Sequence, residues 1–142
     1  MADIIRLEAH VKEHRARINL LQRFSNMRLF SPDWILRDMN GKNLVFIEVK
    51  EKTEKVGIIA HKWKEGGHGF DKYQYDNYMM LYNTMGIKTI LQIWDLSDNT
   101  IYEQYLNILA DAKDFWTFYS KKDGKMIIAW SIKNFNIVGG FQ

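Results

Sequence analysis

The chain has 142 residues, of which 46% are hydrophobic and 26% charged, with a formal net charge of +3. This is the composition of one globular domain with a real core, and it excludes a disordered chain. Cysteine is absent, which excludes disulfides and thiolate chemistry, so any metal must be held by oxygen or imidazole.

No apolar run reaches the roughly 18 residues of a membrane helix. Charges interrupt the opening MADIIRLEAHVKEHR where a signal peptide needs an unbroken apolar stretch, and a cytoplasmic protein without a membrane partner is expected. The modest positive charge permits a polyanionic partner. Its distribution says more. Arg6, Lys12, Arg15, Arg17, Arg23 and Arg28 precede residues 31–52, and Lys50, Lys52, Lys55, Lys62, Lys64 and Lys72 follow or close that stretch.

Ile4, Leu7, Val11, Ile18 and Leu21 recur at helical spacing and predict an amphipathic helix over residues 3–24. His14 falls in its apolar stripe. Glu8 lies at the edge of that stripe, roughly 80° from its centre, and Glu13 points away. A short strand near residues 27–30 is the next candidate. PDWILRD and NLVFIEVK then read as strands around Asn40-Gly41, a strong signal for a two-residue hairpin turn. Residues 51–70 contain Gly66, Gly67 and Gly69 with little periodicity, and their second half is expected to be a mobile loop that carries His61 and His68. Asp71 can cap a following helix and Gly86 can end it, with Gln74, Tyr78, Leu81, Tyr82 and Met85 on one face. KTILQIWDL is a strand, and Ser97-Asp98-Asn99 a turn. Residues 101–112 are ambiguous, and DFWTFYS and KMIIAWSI form a second hairpin about Lys122-Asp123-Gly124. No internal repeat or linker is visible.

The Asn-Gly turn dictates a register in which facing residue numbers add to 81, so Leu36 faces Val45 and Asp33 faces Glu48. Directly facing residues share a side of the sheet, and Lys50, two beyond Glu48, joins them. The opposite face, Trp34, Leu36, Val45, Ile47 and Val49, is wholly apolar and is expected to build the core.

Pro32-Asp33, a hairpin, then Glu48-Val49-Lys50 resembles the signature of the PD-(D/E)XK nuclease superfamily. The order of elements over about residues 3–96 is similar to its restriction-endonuclease-like αβββαβ core, an α/β fold with a mixed central sheet flanked by helices. Here a β-rich C-terminal extension, about 97–142, would complete a single nuclease domain spanning 1–142. The resemblance implies a magnesium-dependent endonuclease, a phosphodiester hydrolase in which manganese can substitute. Asp33, Glu48 and the Val49 carbonyl would hold the metal, and Lys50 would assist hydrolysis. In some branches an acid on the first helix and a glutamine on the later helix join the site; Glu8 and Gln74 are the matching positions. Small members of this style, phage nucleases and Holliday-junction resolvases among them, imply structure-selective or weakly specific cleavage of nucleic acid, DNA first, by a homodimer.

Plainer readings stand beside each assignment. Asp33, Glu48 and Lys50 could form only a cross-strand ion pair, and the fold could persist without activity as a nucleic-acid-binding module. Glu8 could simply pair with Lys12 or Arg15, and Gln74 could satisfy a backbone group. Trp63 and its neighbouring lysines could stack on bases and neutralise phosphates, or merely cover the core.

Overall fold

The computed structural model describes residues 12, 15, 32–41, 43–52 and 62–141. The chain divides into two compact units, Met1–Ser31 and Pro32–Gln142; the second carries the elements described below. Of the helix predicted over residues 3–24, Lys12 and Arg15 are helical and exposed. Glu8, His14, the strand expected near residues 27–30 and His61 lie outside the described residues.

From Pro32 onward the elements are β1 (Trp34–Arg37), β2 (Leu44–Lys52), β3 (Gly67–Asp71), α1 (Lys72–Met85), β4 (Lys88–Asp95), β5 (Thr100–Tyr105), α2 (Leu106–Ala110), β6 (Trp116–Ser120), β7 (Lys125–Ser131), a 3-10 turn at Ile132–Asn134 and β8 (Asn136–Gly139). They make a mixed α/β arrangement of two sheets, one ordered β1-β2-β4-β5-β8 and one ordered β3-β7-β6. In the larger sheet β2 and β4 run parallel while the other neighbours are antiparallel. No helix among the described residues is long and apolar enough to cross a membrane.

The first hairpin has the expected register: Trp34 faces Ile47 and Leu36 faces Val45. Its turn differs. Asp38 N–H donates to the Asn43 carbonyl at 3.2 Å and Gly41 N–H to the Asp38 carbonyl at 3.0 Å, so the loop has four residues, 39–42, and not two. A two-residue type I′ turn needs positive φ at both central positions; Gly41 has φ 69°, and Asn40 is not left-handed. Both loops share one midpoint, which is why the register survives the change of turn.

The expected loop at the end of residues 51–70 is instead strand β3, paired with β7 so that Gly69 faces Ala129. The glycine that suggests a loop serves close approach: a Cβ on Gly69 would lie 2.5 Å from the Ile128 carbonyl oxygen and 2.7 Å from the Ala129 Cβ. The ambiguous residues 101–112 divide into β5 and the short α2. Nor is the C-terminal stretch an appendage, since β5 and β8 extend the larger sheet and β6 and β7 complete the smaller one.

A further correction concerns which face of β2 looks inward. Glu48, Lys50 and Lys52 pair with Leu91, Ile93 and Asp95 of β4, and these β4 side chains are all buried, as are Tyr78, Leu106 and Leu109. The charged face of β2 therefore lies on the side of the principal core. On the face expected to be core, Ile47 is buried but Trp34 and Leu36 are 47% and 53% exposed. The parallel β2–β4 pair decides this, because the connection between parallel strands must cross one face of the sheet and cover it.

His68 is likewise a core residue and not a loop residue. It is buried, with its ring 4.8 Å from that of Tyr102 and 5.3 Å from that of Phe135. Burial holds the imidazole down at about 4; Lys52 pushes the same way, and Asp95 and Asp98 oppose. The folded group is thus depressed below its unfolded value of about 6.5. Its contribution to stability is present above pH 6.5 and is lost as pH falls through about 4. Urea unfolding should show a loss of about 3 kcal/mol across that window, and His68→Phe should remove most of the loss. Gly69→Ala should lower stability by about 1–3 kcal/mol at any pH, because the methyl must displace backbone.

Candidate active site

The predicted site assembles where β1 begins and β2 runs on past it. The Asp38–Asn43 bond marks the hydrogen-bonded pairs of the hairpin as 38/43, 36/45 and 34/47, and the next pair in the series is 32/49. Position 32 is proline, which has no N–H to donate to the Val49 carbonyl. Val49 N–H instead donates to Asp33 Oδ2 at 2.7 Å. The Pro-Asp dipeptide thus ends the ladder in two ways at once. It withholds a donor from one carbonyl, and it pins a carboxylate beside the next turn of the strand.

Glu48 is 3% exposed, and a buried carboxylate is costly unless compensated. Its Oε1 lies 2.8 Å from Lys50 Nζ, and its Oε2 accepts a hydrogen bond from the Tyr78 hydroxyl. Lys50 Nζ also donates to Gln74 Oε1 at 2.9 Å and sits 6.0 Å from the centre of the Phe70 ring. One third of the Lys50 side chain remains exposed, and Asp33 is exposed. The site is therefore buried on its Glu48 side and open on the side of Asp33 and Lys50.

Helix α1 supplies Gln74 and Tyr78 from positions four apart, which share a face. Both predicted caps hold the helix in place: the Asp71 carboxylate accepts from Tyr73 N–H at 2.8 Å, and Gly86, at φ 71°, donates to the Tyr82 carbonyl at 2.9 Å. Met85, expected on the inner face, is 67% exposed at the helix end. Burial pushes the Tyr78 phenol well above its ordinary value, and the hydrogen bond to Glu48, the charge of Glu48 and that of Asp33 add to it in that order. Tyr78 accordingly stays protonated and remains a donor.

Of the residues singled out in the sequence, Asp33, Glu48, Lys50 and Gln74 come together with Val49, while Glu8 lies outside the described residues. The sequence places Tyr78 on the inward face of the helix but does not show its bond to Glu48. The signal was present, since a tyrosine on an inward helical face needs a partner for its hydroxyl. Trp63 packs edge-on against Trp116, 6.4 Å between ring centres, and Lys62 lies 5.6 Å from the Trp116 ring.

The donors at the site suit a hard cation. Two carboxylates and one backbone carbonyl offer only oxygen, and each Glu48 oxygen keeps a lone pair beyond the single donor it already accepts. Among the described residues no three His, Asp or Glu side chains cluster. Two protein carboxylates match the habit of magnesium, which retains several waters.

Tyr78→Phe should cost about 1–3 kcal/mol, because it leaves a buried carboxylate oxygen short of a donor. In a double-mutant cycle with Glu48→Gln, measured by chemical unfolding, the two changes should be strongly non-additive; simple additivity would mean the hydroxyl contributes packing alone. No protein-family model, curated protein or solved structure matches the chain, so the chemistry of the site must come from its own residues.

Proposed function

We propose that the chain is a metal-dependent nuclease that hydrolyses phosphodiester bonds in nucleic acid. In its simplest form it is a DNA endonuclease of structure-selective or weak sequence specificity on a restriction-endonuclease-like core. The observation that carries this reading is the position of Lys50 Nζ, held between the Glu48 carboxylate and the Gln74 amide, with the Asp33 carboxylate anchored on the N–H of the preceding residue, Val49. A solvated ion pair needs neither a buried acid nor an amide to orient its cation.

Magnesium, or manganese in its place, would be held by Asp33, Glu48 and the Val49 carbonyl, and when bound it supplies a water of lowered pKa and charge neutralisation. The remaining roles belong to the chain. Lys50 presents a positive charge from the open side of the site, where a phosphate can approach and negative charge develops. Gln74 fixes the ammonium so that it need not be ordered during the reaction. Tyr78 holds Glu48 in one orientation, and the hydrophobic face under it excludes water from that side. Arginines before the motif and lysines within and after it in the sequence attract the polyanion, and cutting both strands of a branched substrate requires a dimer.

Engagement of both Glu48 oxygens by protein donors favours one other reading, a nucleic-acid-binding module that does not cut. Cleavage assays on single-stranded, duplex, flapped and four-way-junction DNA, with and without magnesium or manganese, separate the two. Wild type should cleave at least one substrate in a metal-dependent way, and Glu48→Ala and Lys50→Ala should each reduce the rate by about 100-fold or more. Equal cleavage by both variants would overturn the mechanism. Salt-dependent binding without cleavage at any metal concentration would assign the binding module instead.

A further inference from the structure

Among the described residues β1 is an edge of the larger sheet, with β2 as its one neighbour, and all four of its residues are exposed. Its hydrogen-bonded pairs with β2, 36/45 and 34/47, direct the N–H and C=O groups of Leu36 and Trp34 inward, so those of Ile35 and Arg37 face away from the sheet. Such an edge is a template for another strand, and proteins commonly blunt it with a lysine, a proline or a bulge. None of these stands at the outward positions of β1. The central one is Ile35, 57% exposed, and Pro32 belongs to the inward series of even-numbered residues.

The charges flanking that isoleucine suit a second copy of the same strand. Asp33 and Arg37 stand two residues before and two residues after Ile35, and both are exposed. No ion pair joins Arg37 to another described residue. If two β1 strands pair antiparallel about Ile35, facing residue numbers add to 70. Ile35 then faces its own counterpart, Trp34 faces the partner's Leu36, and Asp33 faces the partner's Arg37. By symmetry each contact occurs twice. Aromatic-aliphatic pairs and opposite charges directly across from one another both stabilise a sheet, whereas like charges there destabilise it. The other registers that satisfy the outward groups lose this match: a sum of 72 sets Trp34 against the partner's Asp38, a sum of 74 sets Arg37 against the partner's Arg37, and a sum of 68 sets Asp33 against the partner's Ile35.

The pairing also has a fixed side. Ile35 faces Phe46 within the hairpin, so Asp33, Ile35 and Arg37 share the face of the sheet that carries Glu48 and Lys50. An arginine delivered opposite Asp33 therefore arrives on the face of the candidate active site, where Asp33 is exposed.

We propose that the free edge of β1 is the interface between two copies of this chain, paired antiparallel about Ile35, so that the partner's Arg37 meets Asp33 at the open side of the candidate active site. Each site is then completed by a cation from the other copy. The interface stands on the geometry of β1; service of that arginine to a substrate phosphate rests on the nuclease proposed above. Four residues a side make a small interface, so a dissociation constant of about 10–100 µM is expected.

The test uses the full chain in EDTA without nucleic acid. Sedimentation velocity over about 1–300 µM should carry wild type from monomer to dimer. Arg37→Glu sets acid against acid at both ends and should weaken association by about tenfold or more, as should Asp33→Arg. An equimolar mixture of these two variants should associate about as tightly as wild type, because every facing pair is again of opposite charge. The chain has no cysteine, so Ile35→Cys introduces a single thiol, with its Cα about 5.5 Å from its counterpart and within disulfide reach. Under mild oxidation it should link two chains about tenfold faster than Met39→Cys at a fully exposed position, whose counterpart would lie about 27 Å along the strand. Wild type that stays monomeric throughout, a mixture no tighter than its components, or equal linking at positions 35 and 39 would overturn the proposal. If Asp33→Arg, which gives up the bond to Val49, does not unfold cooperatively, the comparison of thiols decides alone. A dimer through β1 that cuts nothing with magnesium would refute the nuclease and keep the interface. A monomer that cuts would do the reverse.

Discussion

A buried carboxylate that must be compensated organises this structure. Glu48 lies on the inner face of the larger sheet, where the apolar side chains of β4 and the helices leave it almost no water. Lys50 and Tyr78 each satisfy one of its oxygens, and the two donors come from different elements. The strand brings Lys50 because side chains two apart share a face. The helix brings Tyr78 because residues four apart do, so that Gln74 arrives with it to hold the lysine from the other side. Remove any member and the rest carry an unpaired charge or an unmet hydrogen bond, which is why the group reads as one unit and not as a list of contacts.

Asp33 belongs to the same unit through the backbone. Its bond to Val49 N–H replaces the partner that the next rung of the hairpin would have supplied, and Pro32 ensures that the rung cannot close from its own side. A two-residue sequence thereby ends the ladder at the start of β1, frees a carbonyl from it and positions an acid at the open edge. Such economy explains why so short a motif can carry information that its chance frequency as a string would not suggest.

Much of this was legible in the sequence, and the failures have physical causes. The register was legible because it depends only on the midpoint of the turn, which a two-residue and a four-residue loop share; the turn type was not, because Asn40 keeps negative φ. Both caps of α1 were legible since Asp71 and Gly86 act locally. Strand β3 was hidden because Gly67 and Gly69 carry loop statistics, while the need for a glycine came from the β7 backbone facing it, a partner some sixty residues away. The inner face of β2 is hidden from the sequence for a related reason. Local apolarity pointed one way, and the parallel partner β4 pointed the other. Tyr78 was placed on the right face but given no polar duty, since the acid it serves is remote in the chain.

The same separation has a consequence for how the molecule comes to exist. The β1–β2 hairpin closes over a few residues, but β2 meets β4 by pairing positions as far apart as Val45 and Lys88, and contacts of long sequence separation cost loop-closure entropy. In an unfolded chain Glu48 and Lys50 are hydrated and neither carries a desolvation cost. Packing of α1 and β4 against β2 removes that water and places the Tyr78 hydroxyl on Glu48. In this topology the elements that take water from Glu48 also bring the hydroxyl that compensates it.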